Sequence, residues 1–414
     1  MRNGFSCFVL GLVLCVCGCV CPSSGEGETK PISIALYAYV PDRSVFEKAI
    51  SEAWAKKHPG IPVVFTEWDP YVGEPPEDAD VFVYDASRYA ILRERNLLAR
   101  FPDSAIERRE DFFKGALNAV SDREKDGNGQ AVYGLPQMIC SSFLITRKED
   151  ARFESVRTLD ALEKLVPKAD PLKAEPSSPD AVVAACVYPE DLFYLYWHAL
   201  QAFAEPTGDG SAVLSGEDGE GAKTAIAALR RLVSLCGEAQ MKAAPENASA
   251  YFRMRYLADG KAAAFIGYPE SLNDVAQAEQ YRIMPFSYGR AASPYFYINA
   301  AGVRAGLSEK RASLAFELAA VLAAVEVMTA VCSAPGANGS PQYLLPGRHS
   351  TLRTLAGKWP GYARLREIVE AEEENETGIR AFRGDRRFEA LREALIPALN
   401  AAVFPATTET AIAE

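Results

Sequence analysis

Apolar and polar positions along the first hundred residues repeat with two alternating periods. Pro31-Ile-Ser-Ile-Ala-Leu-Tyr37-Ala-Tyr39-Val carries the every-second-residue pattern of a strand. Phe46 to Lys57 has the spacing of an amphipathic helix, and His58-Pro59-Gly60 closes it. Ile61 to Trp68 and Asp80 to Asp85 predict two further strands, and Ala86 to Leu98 a second helix. Strand and helix alternating in this way predict a parallel sheet covered by helices. Such sheets meet ligands in the loops beyond the carboxyl ends of their strands. Tyr39, Tyr71 and Asp85 fall at or just beyond those ends.

The next stretch, Tyr133 to Asp150, has a Gly-Leu-Pro turn followed by Cys140-Ser-Ser-Phe-Leu-Ile-Thr, which predicts one short buried strand holding a single cysteine. A second α/β lobe follows Arg147. Leu192 to Phe203 is aromatic and helical, and Ala222 to Cys236 is a clear amphipathic helix. Gly260 to Ala276 reads as a small-residue strand, a turn, and a helix with Pro269 in its first turn. Glu270 then lies near the positive end of the helix dipole, where any carboxylate is favoured. Pro294 to Val303 and the helical run Lys310 to Thr329 return the chain to the first lobe, and Pro341 to His349 is an irregular linker suited to another crossing. The last segment is helical and charged over Arg364 to Glu376 and Arg386 to Leu395, and its acidic run is a solvated face. The expected fold is α/β and bilobed, of the periplasmic-binding-protein type. Residues 30–142 and 290–345 form one lobe, 143–289 and 346–414 the other, with hinge crossings and a central cleft between them.

At 414 residues the chain is long enough for two cores, and 49% apolar with 24% charged residues is ordinary for a globular protein. The net charge of −11 argues against nucleic acid and anionic membrane surfaces as partners, and mildly favours a cationic small ligand. Arg2 and the apolar run Phe5 to Val20 read as a signal peptide over 1–21, with 22–29 as a tether. Val16-Cys17-Gly18-Cys19 resembles a bacterial lipobox with an atypical second position. It predicts export to the periplasm or cell exterior, anchored by lipid at Cys19 or cleaved and free. Cys140, Cys186, Cys236 and Cys332 show no paired spacing, and only three histidines occur, so no metal site is expected. The last three of these cysteines sit among small apolar residues and read as core. Asp122-Arg-Glu-Lys-Asp126-Gly127 opens like a calcium loop, but its twelfth position is Tyr133, so it reads as an ordinary polar loop.

Three stretches together resemble the thiaminase I (thiamine pyridinylase) family, secreted enzymes with a maltose-binding type of fold. They are Tyr133-Gly-Leu-Pro-Gln-Met-Ile-Cys140-Ser-Ser-Phe-Leu-Ile, Ala264-Phe-Ile-Gly-Tyr268-Pro-Glu270-Ser and Pro341-Gln-Tyr-Leu-Leu-Pro-Gly-Arg348. The Gly-Leu-Pro piece is common among binding proteins. The cysteine within it, with Tyr-Pro-Glu about 130 residues later, is much more specific. The resemblance implies Cys140 as nucleophile and Glu270 as base. It places Tyr37, Tyr39, Tyr71, Tyr251, Tyr268 and Tyr297 along the substrate cleft, with Asp85 as a cleft acid. Asn299 stands where the family pattern implies a second acid. The implied substrates are thiamine and a small nucleophile (an amine, pyridine or thiol), with no cofactor and a monomeric protein. A free thiol with a pKa of about 8.5 is only a few per cent thiolate at neutral pH, so a carboxylate that takes its proton is what the chemistry needs. Tyrosine faces suit both a flat pyrimidine and a cationic thiazolium. The rival expectation is a thiamine- or pyrimidine-binding lipoprotein of an ABC transporter without turnover. A sugar receptor would leave the thiol without a role.

Overall fold

The structure is a computed structural model and describes residues 30–404 apart from 38–42, 72, 125–128, 166–182, 186–188, 204–219, 237–253, 290–293, 337, 375–377, 385 and 387. The first sheet opens with β1 (Ile32–Tyr37), β2 (Val63–Trp68) and β3 (Val81–Asp85), all parallel. The helix Arg43–Lys57 connects the first two and buries Phe46, Ile50 and Trp54, spaced four residues apart on one face. Each such side chain contributes about 1.5–3 kcal/mol by leaving water. Trp54 also donates its indole N–H to the Ile61 carbonyl oxygen at 2.9 Å, which fixes the turn into β2.

Two short strands, β4 (Ser121–Arg123) and β5 (Gln130–Val132), form a hairpin around the calcium-loop lookalike. Asp122 there is committed to Arg93 at 3.3 Å and Arg383 at 2.8 Å, as expected of a polar surface loop. The chain then runs through β6 (Leu135–Cys140), β7 (Phe143–Arg147), β8 (Val183–Ala185), β9 (Ala264–Gly267), β10 (Tyr281–Pro285), β11 (Tyr297–Val303) and β12 (Leu345–Pro346). The strand order is β12-β6-β11-β3-β1-β2 in the six-stranded first sheet and β10-β7-β9-β8 in the four-stranded second sheet.

The expected single strand over Cys140 to Thr146 is in fact two strands in different sheets, with Ser141 and Ser142 between them. Leu135 and Pro136 belong to the first of these strands instead of a turn. Pro136 is tolerated in an interior strand because the β6–β11 ladder shifts register between Asn299 and Ala300, where Pro136 stands. Both serines are buried, and Ser141 Oγ donates to the Tyr295 carbonyl oxygen at 2.8 Å. That bond ties the outgoing crossing to the returning one, which enters β11 two residues later.

The helical run expected over Lys310 to Thr329 is likewise broken. It forms the helices Glu309–Leu322 and Val325–Ser333, bent by 43°. The carbonyl oxygens freed at the break are met by side chains: Gln137 reaches Leu322 at 3.3 Å and Arg348 reaches Ala323 at 2.8 Å.

One face of the second sheet, with Leu144, Ile266 and Met284, packs against the helices Pro189–Phe203 and Glu220–Cys236. After Pro346 the helix His349–Ala356 lies against β12, Pro360–Glu373 against β10, and Phe388–Val403 against the two second-lobe helices. Cys236 and Cys332 are buried core thiols, and Cys186 lies outside the described residues.

Candidate active site

The ladder registers decide where the chemistry-bearing residues fall. β11 runs antiparallel to both β3 and β6, so its amino end coincides with their carboxyl ends. Tyr297 opens β11 opposite Cys140, the last residue of β6, and Asn299 stands opposite Asp85, the last residue of β3. Directly opposed residues share a face of the pleat, as do residues two apart on one strand. Cys140, Tyr297, Asn299 and Asp85 therefore sit together on one face at one edge of the first sheet. Tyr37 ends β1 at that same edge. The second sheet supplies the opposing wall. β9 ends at Gly267, opposite Phe143, and the chain turns through Tyr268 into a short 3-10 helix, Pro269–Asp274. A longer α-helix was expected there; the Tyr268 carbonyl oxygen, which accepts from Ser271, starts the tighter turn instead.

Glu270 reaches back across the crossing to the thiol. Its Oε1 lies 3.5 Å from Cys140 Sγ, with the sulfur as donor. Glu270 is only 6% exposed, and among the described residues its Oε2 has no hydrogen-bond partner. Burial pushes its pKa up to about 7, against which its hydrogen bonds, including that from the thiol, act only weakly. Cys140 is half-buried at the wall. Burial, then the negative charge of Glu270 and Asp85, pushes its thiol well above the ordinary range. Both directions agree on where the proton rests: it stays on sulfur, and the thiol points it at a carboxylate. The pair can therefore deliver a thiolate only at the moment of attack, by handing one proton to Glu270.

Asp85 is 1% exposed and accepts from the Ser87 backbone N–H at 2.8 Å. Burial raises its pKa, against the hydrogen bonds from Ser87 and the Tyr71 hydroxyl. The tyrosines form a continuous aromatic wall. Tyr71 meets Tyr194 edge-on with centroids 5.7 Å apart, and Tyr194 meets Tyr297 at 5.5 Å. The Tyr297 hydroxyl donates to the Tyr194 carbonyl oxygen at 3.2 Å, and His198 stacks beneath its ring at 5.1 Å. Burial holds His198 neutral, with its pKa lowered to about 3. Tyr194 and His198 were not singled out from the sequence. Their signal is a four-residue spacing on the helix Pro189–Phe203, which reads equally well as core. Of the expected residues, Cys140, Glu270, Tyr71, Asp85, Tyr268, Tyr297 and Asn299 lie around this one crossing. Tyr37 is there by backbone position, its side chain not being among those described. Tyr39, Tyr251 and Cys19 lie outside the described residues.

Similarity to known proteins agrees with the fold. The family model for bacterial extracellular solute-binding proteins matches residues 37–328. Thiaminase-1 of Paenibacillus thiaminolyticus is 32% identical over 357 residues, which is 85% of this chain and 83% of that protein. Thiaminase I from Bacillus thiaminolyticus superimposes with a TM-score of 0.79 at 28% identity, covering 90% of this chain and 99% of the other. Clostridium botulinum thiaminase I, solved in complex with thiamin, gives a TM-score of 0.77 at 28% identity over the same shares. A solute-binding-protein scaffold with a thiol facing a buried carboxylate across its crossing, matched over most of its length by these enzymes, places this chain in the thiaminase I family.

Proposed function

We propose that this protein is a transferase that cleaves thiamine and replaces its thiazole with a small amine, pyridine or thiol. The observation that carries the reading is the 3.5 Å approach of Cys140 Sγ to the Glu270 carboxylate. In the first half-reaction Glu270 takes the thiol proton as sulfur bonds to C6 of the pyrimidine. The electron pair displaced through the ring then expels the thiazole from the methylene bridge. In the second half-reaction the incoming nucleophile bonds to that methylene carbon, Glu270 returns its proton to sulfur as the carbon–sulfur bond breaks and the ring regains its aromaticity, and the freed carboxylate passes the proton of an amine or thiol nucleophile to solvent. Protons move among sulfur, one carboxylate, the incoming nucleophile and solvent, so the chemistry asks for no cofactor. Tyr71, Tyr268 and Tyr297 offer ring faces to the pyrimidine and thiazolium, each contact contributing about 0.5–2 kcal/mol. Tyr37, Tyr39 and Tyr251 are assigned to the same lining on their sequence positions, and Asn299 to the pyrimidine's polar edge.

Asp85 holds a buried negative charge where a cationic thiazolium would lie. Asp85→Asn is expected to raise KM for thiamine about 10- to 100-fold, the worth of one charged contact. Steady-state kinetics with a neutral thiamine analogue as competitor checks the cause, because inhibition by that analogue stays unchanged when only charge recognition is lost.

Export follows from membership of an extracellular family, and we assign a lipid anchor to Cys19 on its lipobox-like setting. The lobes divide at the sheet crossings, near residues 142 and 290, and the protein acts as a monomer. Purified protein incubated with thiamine and excess aniline should release free thiazole, followed by chromatography. Tight thiamine binding with no product after several hours would establish the transport-receptor reading instead.

A further inference from the structure

The second sheet ends on β10, and beside this edge strand lies a cavity of about 500 Å³. Lys148, Arg157, Arg282 and Arg364 line it, against two acids, Glu154 and Glu279. This local excess of positive charge runs against the −11 of the whole chain. The four bases outnumber the two acids of the lining. Glu154 meets Arg282 at 2.9 Å from a largely exposed position, and Arg364 turns one nitrogen outward to Glu367 at 2.7 Å. Arg157 donates to the carbonyl oxygens of Glu154 and Val156 at 2.9 and 2.8 Å, and to Met284 Sδ at 3.3 Å. Among the described residues no carboxylate forms an ion pair with it, and burial together with the Arg364 and Arg282 charges lowers its pKa. Three guanidinium groups thus share one concavity, and among the described residues Arg157 has no carboxylate partner while Arg282 and Arg364 are paired with exposed ones.

Pro360 and Gly361 complete the wall. They begin the 14-residue helix Pro360–Glu373, whose amino end has no side-chain cap. Pro360 has no N–H, so the helix brings to the cavity the amides that follow it and the positive end of its dipole. The volume suits a small molecule and exceeds what a simple ion needs. β7 leads from Phe143 at the cleft to Arg147, about 13 Å along the strand, and Lys148 follows at the cavity, so an occupant here would not displace thiamine.

We propose that this cavity is a binding site for a phosphate group, taken either as inorganic phosphate or as a phosphomonoester. Arg157 and Arg364 hold the oxyanion beside the helix amino end.

Isothermal titration calorimetry with inorganic phosphate and with glycerol phosphate, in chloride buffer, tests it. At least one should bind at a single site with a Kd of about 1 mM or tighter. Arg157→Gln and Arg364→Gln should each weaken that binding about tenfold or more, with thiamine cleavage unchanged. If Arg157→Gln fails to fold, the more exposed Arg364→Gln carries the comparison by itself. Tighter binding of glycerol phosphate identifies an ester as the occupant, and equal or weaker binding identifies free phosphate. No saturable heat with either up to about 50 mM overturns the proposal. Equal affinity in the variants and the parent does so too, since the anion would then sit elsewhere.

Discussion

Cys140→Ser is expected to abolish thiamine cleavage, lowering kcat by about 10⁴-fold or more while leaving thiamine affinity within a few-fold. The size follows from acidity and position together. A serine hydroxyl is far harder to ionise than a thiol, and Glu270, with a pKa of about 7, is too weak a base to make up the difference. Serine is close in volume, so the β6–β11 pairing of residue 140 with Tyr297 and the aromatic wall should survive the change. Intact-mass measurement of a quenched reaction without acceptor gives an independent reading. The parent should carry one pyrimidine adduct, and the serine variant none. Residual cleavage within tenfold of the parent would show that the thiol is not the nucleophile.

Glu270→Gln is expected to lower kcat about 10²- to 10⁴-fold, the usual worth of a positioned base, and at the same time to stabilise the protein at alkaline pH. The folded carboxyl has a pKa of about 7, above its ordinary value of 4.5. Below pH 4.5 it is protonated in both the folded and the unfolded chain, and burial costs nothing extra. Between 4.5 and 7 unfolding releases its proton, so the parent loses stability as pH rises, by about 3 kcal/mol in full at pH 8. Glutamine keeps an oxygen that accepts from the thiol and has no charge to bury, so its gain should appear at pH 8 and vanish near pH 4.5. Denaturant unfolding at the two pH values reads this directly, and a gain independent of pH would contradict the burial argument. The same carboxyl fixes the pH–rate profile: parent kcat/KM should fall tenfold per unit below about pH 7.

The architecture was legible because its signals are local. Alternation over Pro31 to Leu36 and four-residue spacing over Phe46 to Lys57 report burial within single elements. What escaped were features set by a partner distant in sequence. Cys140 to Thr146 carries no charge and no Gly or Pro break, as one buried strand would. Only the change of sheet at two serines, one held by the Tyr295 carbonyl, reveals two strands. Lys310 to Thr329 reads as unbroken because the side chains that satisfy its break, Gln137 and Arg348, come from other segments. In the site, Cys140 and Glu270 stood out by resemblance, since spacing alone cannot bring together residues 130 apart. Tyr194 and His198 stayed hidden because aromatic residues on a buried helix face look the same whether they back a cleft or fill a core.

Cys140 ends a strand of one sheet, while Glu270 follows a strand of the other, and at this crossing Ser141 and Ser142 alone link the two sheets. Burial and the facing carboxylate hold the thiol pKa well above the ordinary range, so little thiolate exists until a substrate takes up the electron pair. An exported protein meets oxidants and stray electrophiles with no cytoplasmic reductant at hand, and thiolates are what those reagents consume. The arrangement thus works as a safety catch, keeping the proton on sulfur until a substrate carbon stands ready to bond to it. Iodoacetamide should accordingly modify Cys140 slowly in the resting protein, and a fast, stoichiometric reaction at neutral pH would show that the catch does not exist.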